Sequence, residues 1–453
     1  MTSPVAYLDR LARWAEAVRL DALPPAAVDA AKLVLLDTLG AMLAGSAEPE
    51  NGKLAALAAA RAPSGGAATL IGHTGRADAY WAALVNATAG VALEVDEGNR
   101  WGGGHPAIHT VPGALALAEE LDADGRALIE AVVAGYELGS RLGGATIARA
   151  NVHSHGTWGT ISTAVAAARL RERPAEALRE IVNLAASMTP ANSWTPALQG
   201  ATIRNLYPGR SAWQGLLAVE LHGCGFTGLP DAPADVYGGI LAERFDPDAA
   251  VAELGGPLRI ERNYVKLHAC CRYNHFALDA VLALRAEHRI DASQVARVHV
   301  TTIPFGLRMA DPAPATPLAA RFSIPWAVAA ALVLGHAGLD AFRPTALADA
   351  RIQALARRVE VAADPAMSPR RDDAPTARVR LTLADGRGLA GAATVPRGDA
   401  AQPVERQVVV DKFLALATPV LGARHAGEVV GAVQDLDRLK HPRDLTALLV
   451  PLA

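Results

Sequence analysis

Residues 24–45 read PPAAVDAAKLVLLDTLGAMLAG, and this stretch decides the fold class of the chain. Its large apolar side chains recur at helical spacing, at Val28, Leu35, Leu39 and Met42. The Pro24-Pro25 pair suits the first turn of a helix, where a missing backbone N–H has no intrahelical partner to lose. The same pattern precedes it, at Leu8, Leu11, Ala15 and Val18. The sequence therefore predicts two antiparallel helices, the second ending near Gly45.

The helical period continues through the first half of the chain. Gly, Pro or Asp separates each apolar segment from the next, as expected at helix ends. These segments lie at about 79–93, 111–121, 127–142, 160–170, 175–188 and 211–222. We therefore predict that residues 1–262 form one all-helical domain.

Beyond residue 262 the apolar period changes. Residues 297–302 and 378–383 alternate between apolar and polar side chains, which is typical of strands, and the second run ends at the turn signal Asp385-Gly386. Helical patterns lie before and between these strands, at 274–287 and 326–334. This mixture predicts a smaller α+β domain at 263–404. The helical pattern returns in residues 405–453, which we expect to pack back onto the first domain.

The composition limits the classes of partner. The chain has 453 residues, 51% of them hydrophobic, and its 43 Lys and Arg against 46 Asp and Glu give a formal charge of −3. Such a chain can bury a large core and offers no whole-molecule electrostatic case for a nucleic-acid partner. The longest apolar stretch, Phe322–Gly335, is interrupted by Pro325 and is too short to span a bilayer. No nucleic-acid or membrane partner is predicted.

Cysteine usage bears on cofactors and compartment. Cys224, Cys270 and Cys271 cannot form a disulfide framework, and no C-x-x-C pair is present to hold zinc or an iron–sulfur cluster. Neighbouring cysteines do not easily chelate one metal, so we predict no metal and no cofactor. Charged residues interrupt the first apolar residues of the chain, unlike a signal peptide. These features predict a cytoplasmic protein.

The first polar segment within apolar surroundings combines carboxylates with a histidine. Glu94, Asp96 and Glu97 lie at a predicted helix C-terminus, where negative charge opposes the helix dipole. Residues 102–104 are all glycine and lead to His105, so the backbone there can approach a ligand closely. The alternative interpretation is an ordinary solvated acidic loop.

Three further segments add histidines and cations. Residues 153–160, HSHGTWGT, run into a predicted helix start, which suits an anion, although Thr157 or Thr160 could simply cap the helix. Arg204 and Tyr207 also precede a helix, and an Arg binds carboxylates through two points, although a surface salt bridge is the commoner role. The last segment contains Lys266, His268, Arg272 and His275.

Together these segments describe a site with several His, one Lys, two or more Arg and at least one carboxylate. Cations can bind acid groups and spread the charge of a developing enolate, while His or a carboxylate removes a proton. The set therefore favours proton abstraction next to a carboxylate.

The sequence resembles the MmgE/PrpD family, which includes 2-methylcitrate dehydratases, cis-aconitate decarboxylases and iminodisuccinate epimerases. The matching blocks occur in order along nearly the whole chain, at 35–40, 86–106, 153–159, 266–275 and 322–325. The resemblance implies a multi-domain, predominantly α protein: a helical domain formed by both chain ends, an inserted α+β lid, and a site in the cleft between them. It also implies a homodimer.

The resemblance implies roles for individual residues. The implied catalytic residues are His105, His153, Lys266 and Asp96, and the implied substrate-binding residues are Glu94, Arg204, Tyr207, Arg272 and His275. The sequence departs from the family pattern at several of these positions. Glu94 stands where Asp is usual, Gly98 replaces Thr, Arg204 replaces Lys, and Tyr207 replaces His. At Cys271 the decarboxylases carry a second catalytic His, so its loss argues against decarboxylation of cis-aconitate.

These observations lead to one main functional hypothesis and two alternatives. We expect a metal-independent hydro-lyase of propionate or related carboxylic acid metabolism, which dehydrates a small di- or tricarboxylic acid such as 2-methylcitrate. His105 or His153 would be the base, and Lys266 would anchor a carboxylate or donate a proton. The first alternative is an epimerase or isomerase that uses the same proton abstraction. The second is an inactive homologue that only binds carboxylates.

Overall fold

The computed structural model describes residues 5–62, 65–368 and 376–451, and within these ranges the protein is predominantly α-helical. The predicted fold class is therefore confirmed. The helices before residue 263 are α1 Ala6–Ala17, α2 Pro25–Ser46, α3 Pro49–Ala60, α4 Ala79–Val91, α5 Pro106–Leu121, α6 Gly125–Gly144, α7 Gly159–Leu170, α8 Ala175–Ser187, α9 Thr195–Gln199, α10 Leu206–Gly223 and α11 Pro247–Val251.

This part of the chain is not entirely helical, which corrects the prediction of an all-helical domain. Its described residues include two short antiparallel pairs: β1 Ala68–Thr69 with β2 Arg76–Ala77, and β3 Thr146–Ala148 with β4 Ala242–Phe245. These strands are too short to produce a recognisable alternation of apolar residues.

Residues 263–404, named the lid here, contain helices and a mixed sheet. The helices are α12 Arg272–His288, α13 Pro317–Arg321, α14 Ile324–Leu334, α15 Pro344–Leu347 and α16 Ala350–Ala356. The strands are β5 Val295–Thr302, β6 Val359–Ala363, β7 Ala377–Leu383 and β8 Gly388–Ala393, in the order β6-β5-β7-β8. The β5/β6 pair is parallel and the other two pairs are antiparallel. Val298, Val300 and Val379 are buried, so one sheet face packs against helices while the other carries polar side chains.

The tail consists of α17 Arg406–Leu421, α18 Ala423–Gln434 and α19 Arg443–Thr446. Its longest helix, α17, lies against α2, where Phe413 is fully buried and approaches Gly40 closely. A Cβ at residue 40 would lie 3.1 Å from the Phe413 ring, so the glycine permits this close helix contact. A helix of the tail thus packs directly against a helix near the start of the described chain.

The start of α5 differs from the prediction and bears on the site. The helix begins at Pro106, immediately after His105, and includes Pro112 within it. The sequence pattern places the start near residue 111 because a proline usually marks a helix boundary. The observed start fixes the backbone next to His105, since Pro106 occupies the first helical position. Among the described residues, no helix combines the length and apolar character needed to cross a bilayer.

Candidate active site

A cavity lies where the helical domain meets the lid. Its lining from the helical domain includes Asn99, Gly104, His105, Ser154 and Trp194. Its lining from the lid includes Tyr264, Cys271, Arg272, Phe276 and Asp399. Because both parts of the chain contribute polar and aromatic side chains to one concave space, this cavity is the candidate active site.

A buried ion cluster lies beside the cavity. The Lys266 ammonium donates to Glu94 Oε2 at 3.0 Å and to Asp96 Oδ1 at 3.2 Å. Arg204 pairs with the second oxygen of Glu94. Lys266, Arg204, Glu94 and Asp96 are all buried, so the alternative of a solvated acidic loop is wrong. The structure brings these predicted site residues together from segments far apart along the chain.

The cluster keeps its members charged despite burial. Burial alone would raise the pKa of Asp96, but Lys266 and His105 hold this pKa far below its ordinary value. Burial would likewise raise the pKa of Glu94, but Arg204 and Lys266 lower it. For Lys266 burial opposes charge, and Asp96 and Glu94 together raise its pKa. The result is a balanced set of two cations and two anions.

The backbone of the acidic segment is held from the tail. Helix α4 ends at Val91, and Glu94 then adopts a left-handed φ of 55°, which an L-residue other than Asn or Asp rarely does. Lys412 on α17 donates to the Val95 carbonyl and to Asp37 Oδ1, both at 2.6 Å. Lys412 therefore fixes the backbone between Glu94 and Asp96.

The hydrogen bonds of His105 define which ring nitrogen is free. His105 Nδ1 lies 2.6 Å from the Glu97 carbonyl oxygen and 3.0 Å from Asp96 Oδ2. A carbonyl oxygen only accepts, so Nδ1 carries a proton and the neutral ring has its lone pair on Nε2. The ring lines the cavity. His105 is thus oriented to accept a proton through Nε2, with a carboxylate beside its other nitrogen.

His153 has the opposite tautomer. The backbone N–H of His155 donates to His153 Nδ1 at 3.0 Å, so the ring proton must be on Nε2. This Nε2 is buried and has no hydrogen-bond partner among the described residues. Burial, followed by Arg204 and His105, lowers the pKa of His153 well below its ordinary value. His153 is therefore a neutral N–H donor, and its ring lies on Trp194 at 3.9 Å between centroids.

His155 belongs to the histidine-rich segment but is not among the predicted site residues. Its ring stacks on His105 at 4.4 Å and lies 5.0 Å from His153. Both ring nitrogens are buried without a partner in the part of the chain that the structure describes. Burial and then Arg204 lower the pKa of His155 well below its ordinary value, which leaves it neutral. The sequence signal for this role is its position two residues after His153.

Asp96, His105 and His155 each place a potential ligand atom within 4.8 Å of the others, so a metal site must be considered. The two imidazole rings are stacked, with only 20° between their planes. Imidazole lone pairs lie in the ring plane, and those of two nearly parallel rings do not converge on one ion. The donor geometry therefore does not suit tetrahedral zinc coordination.

Arg272 provides the lid's cation in the cavity lining. One of its nitrogens, Nη2, donates to Asp399 at 3.1 Å, and its guanidinium lies 4.3 Å above the Tyr264 ring. The other terminal nitrogen, Nη1, is buried without a hydrogen-bond partner among the described residues. Arg272 can therefore accept one further anionic partner, such as a carboxylate.

Two other predicted binding residues, Tyr207 and His275, are buried near the site but do not line the cavity. Tyr207 donates to the Ser193 carbonyl and packs edge-on to His153. His275 is buried next to His268, and its Nε2 lies 3.2 Å from the Cys270 carbonyl oxygen. Neither residue contributes to the lining named above.

Several residues that contribute to the site are not predicted by the sequence. Arg321 is buried and donates to the carbonyls of Leu93 and Ala269, so it joins the acidic segment to the lid. Tyr264 lines the cavity, and Lys412 fixes Val95. Tyr264 lies two residues before Lys266, which could have indicated its position, whereas nothing in the local sequence indicates Arg321 or Lys412.

Glu97 supports the start of α5. Its Oε1 accepts from the Ala107 backbone N–H at 2.9 Å. Burial raises the pKa of Glu97 well above its ordinary value, and the neighbouring Asp37 and Asp96 add to this effect. Glu97 is thus expected to remain protonated in the folded protein at pH values where the unfolded chain has lost the proton.

Glu97→Gln is therefore expected to flatten the pH dependence of stability. In the native chain the folded state keeps the Glu97 proton above pH ~4.5, so its stability falls as pH rises toward the raised folded pKa, by about 1.4 kcal/mol per pH unit at most. A glutamine removes this loss. Denaturant unfolding at mildly acidic and mildly alkaline pH measures the slope. Exposed Glu287→Gln is the matched control. An unchanged slope in Glu97→Gln would contradict the assignment.

The chain is similar to known proteins over nearly its whole length. The model of the MmgE/PrpD N-terminal domain matches residues 9–249, and that of the MmgE/PrpD C-terminal domain matches residues 268–437. A cis-aconitate decarboxylase of Aspergillus terreus is 23% identical, over 97% of this chain and 95% of the relative. A cis-aconitate decarboxylase-like protein, oryM, of Aspergillus oryzae is also 23% identical, over 97% of this chain and 96% of the relative.

Proposed function

The chain belongs to the MmgE/PrpD family, and from this premise we propose that it is a metal-independent hydro-lyase that dehydrates a small di- or tricarboxylic hydroxy acid. The family and the names of the relatives support enzymatic chemistry on small carboxylic acids in general. The choice of dehydration and of a substrate such as 2-methylcitrate is our proposal.

The orientation of His105 carries this proposal. Its Nδ1 is bound by Glu97 and flanked by Asp96, so Nε2 is the basic nitrogen and its ring lines the cavity. A carboxylate beside a histidine stabilises the imidazolium that forms when the ring takes a proton. We assign His105 as the base that removes the proton on the carbon next to a substrate carboxylate.

The other residues then take complementary roles. Arg272 binds a substrate carboxylate through Nη1. As the proton moves to His105, its bonding electrons form the carbon–carbon double bond, and the bond to the hydroxyl group breaks. The departing hydroxide needs a proton, which the His105 imidazolium returns, whereas the neutral His153 can only donate a hydrogen bond through its Nε2–H. Lys266 is fully engaged by Glu94 and Asp96, so we propose that it orients Asp96 against His105.

The chemistry at Cys271 favours dehydration over decarboxylation. The thiol lines the cavity, and burial, followed by Glu94, raises its pKa to about 12. Such a thiol is a poor proton donor near neutral pH. A decarboxylation that leaves a carbanion requires a competent acid at this step, which Cys271 does not provide.

Turnover of a panel of 2-methylcitrate, citrate and malate tests the proposal. We expect formation of an unsaturated acid from at least one of them, detected by ultraviolet absorbance and mass spectrometry. Activity should survive treatment with EDTA, and complete loss followed by recovery with zinc would contradict the metal-independent mechanism. If native protein binds an acid of the panel without converting it, the protein is a carboxylate-binding homologue instead.

Epimerisation is the second candidate because it begins with the same proton abstraction. Incubation in deuterated water separates the two reactions. A hydro-lyase releases an alkene, whereas an epimerase gives a product with solvent deuterium at the α-carbon, inverted configuration and no alkene. The second result would reject the hydro-lyase.

A homodimer and a cytoplasmic location are also proposed. The dimer is expected from the family resemblance, and exposed apolar side chains such as Trp213 and Phe226 are compatible with a protein contact. Light scattering coupled to size-exclusion chromatography measures the mass in solution. A mass near 47.0 kDa would contradict the dimer.

A further inference from the structure

Tyr264 and Gly98 share one small volume at the edge of the cavity. We infer that Tyr264 is a substrate-contacting residue whose hydroxyl occupies the space that a side chain at residue 98 would otherwise fill. The inference rests on the proposed function, because it names a further contact for the same carboxylic acid.

The backbones of the two residues form a short antiparallel bridge. Gly98 N–H donates to the Tyr264 carbonyl at 3.1 Å, and Tyr264 N–H donates to the Gly98 carbonyl at 2.7 Å. A Cβ at residue 98 would lie 2.3 Å from both Cζ and Oη of Tyr264, which is much closer than van der Waals contact. Gly98 is not among the residues with positive φ. The position of the Tyr264 ring, and not the backbone conformation, therefore explains why residue 98 is a glycine.

The Tyr264 ring lies against Arg272, which is proposed to bind a substrate carboxylate, and next to His105, the proposed base. The Arg272 guanidinium lies 4.3 Å above the ring, and the His105 ring meets it edge-on at 6.0 Å. Tyr264 is 4% exposed and lines the cavity. A substrate held between Arg272 and His105 would therefore lie against Tyr264.

The hydroxyl of Tyr264 is available for such a contact. Within the part of the chain that the structure describes, this hydroxyl has no hydrogen bond to another residue, although tyrosine hydroxyls inside proteins usually have a partner. Burial, opposed by Arg272 and reinforced by Asp96, raises the pKa of Tyr264 well above its ordinary value. The phenol therefore stays neutral and donates a hydrogen bond without transferring its proton. The acceptor of this hydrogen bond would be an oxygen of the substrate, either of its hydroxyl group or of a carboxylate.

Tyr264→Phe removes only the hydroxyl and keeps the ring that packs on Arg272. Titration calorimetry with 2-methylcitrate, citrate and malate is expected to show binding to native protein and about 10- to 100-fold weaker binding to Tyr264→Phe, the range for a lost hydrogen bond to a charged group. Tyr80→Phe, on the half-buried surface of α4, is the matched control and should bind like the native protein.

The outcomes separate the inference from the proposed function. Native binding that Tyr264→Phe leaves unchanged would overturn the inference and leave the hydro-lyase proposal standing. No binding of any of these acids to the native protein would overturn the proposed function, and the inference with it. A Tm of Tyr264→Phe close to the native Tm excludes a purely structural role when affinity falls.

Paired substitutions at residues 98 and 264 test whether the two side chains compete for one space. Gly98→Ser should lower the Tm because its Cβ collides with Tyr264, and adding Tyr264→Ala should raise the Tm again. In the double variant the new hydroxyl at residue 98 replaces the phenol, so this protein should bind the acid more tightly than Tyr264→Ala alone. A double variant no more stable than Gly98→Ser would show that the two residues do not compete for one space.

Discussion

Replacing His105 by asparagine is expected to lower kcat by roughly 10²- to 10⁴-fold, the usual contribution of a positioned general base. An asparagine amide can still donate to the Glu97 carbonyl, as His105 Nδ1 does, but it has no basic nitrogen in place of Nε2. The substitution therefore removes the base while retaining the hydrogen bond that orients it. Steady-state kinetics on the acid that the native protein converts measures the loss.

Exchange of the substrate's α-proton with solvent provides a second test of the role of His105. If His105 is the base, His105→Asn should also lose incorporation of solvent deuterium at the α-carbon, while calorimetry still detects binding of the acid. His73→Asn is the matched control, since His73 is half-buried next to the short β1–β2 pair and does not line the cavity. If His105→Asn kept more than about a tenth of the native kcat, the base would have to be another group.

Lys266→Met is expected to have the largest effect on stability. Removing the cation leaves Glu94 and Asp96 buried with too little positive charge, and breaking a buried ion pair in this way typically costs about 3–5 kcal/mol. Arg204 still compensates Glu94, so Asp96 bears most of the change. Denaturant unfolding should show this loss in the free energy of unfolding, and Lys53→Met, at an exposed position, should show almost none.

The pH dependence of stability tests whether the loss in Lys266→Met arises from charge. In the native chain the pKa of Asp96 is held below its unfolded value, so its contribution to stability is present above pH ~4 and is lost as pH falls. Without Lys266 the buried carboxyls take up protons in the folded state. The stability difference between the native protein and the variant should therefore shrink on acidification. A difference that stays constant from neutral to acid pH would indicate that Lys266 acts through packing alone.

The helices are largely predictable because each carries its own periodic apolar face. The segments at 160–170 and 175–188 match α7 and α8 to within a residue at each end. Helix α3 is not predicted because its apolar residues are mostly alanine, which gives little contrast between its faces. Strand β8 is not predicted because Gly388–Ala393 consists of glycine, alanine and one leucine, so its alternation is weak.

The candidate site is predictable only where chemistry clusters along the chain. The segments containing Asp96, His105, His153 and Lys266 are recognisable because polar residues interrupt apolar sequence, and the structure brings these segments together. The contacts of Lys412 with Asp37 and of Arg321 with Leu93 join residues hundreds of positions apart, so no local pattern indicates them. The stacking of His155 on His105 depends in the same way on how two loops meet.

The contact between Lys412 and the Val95 carbonyl also sets an order of events during synthesis. The two residues are separated by 317 positions, so the acidic segment leaves the ribosome long before the helix that fixes it. Until α17 has emerged, Asp37 lacks its buried cation and Val95 lacks its donor. The growing polypeptide therefore cannot complete the buried contacts around the acidic segment until α17 has been synthesised.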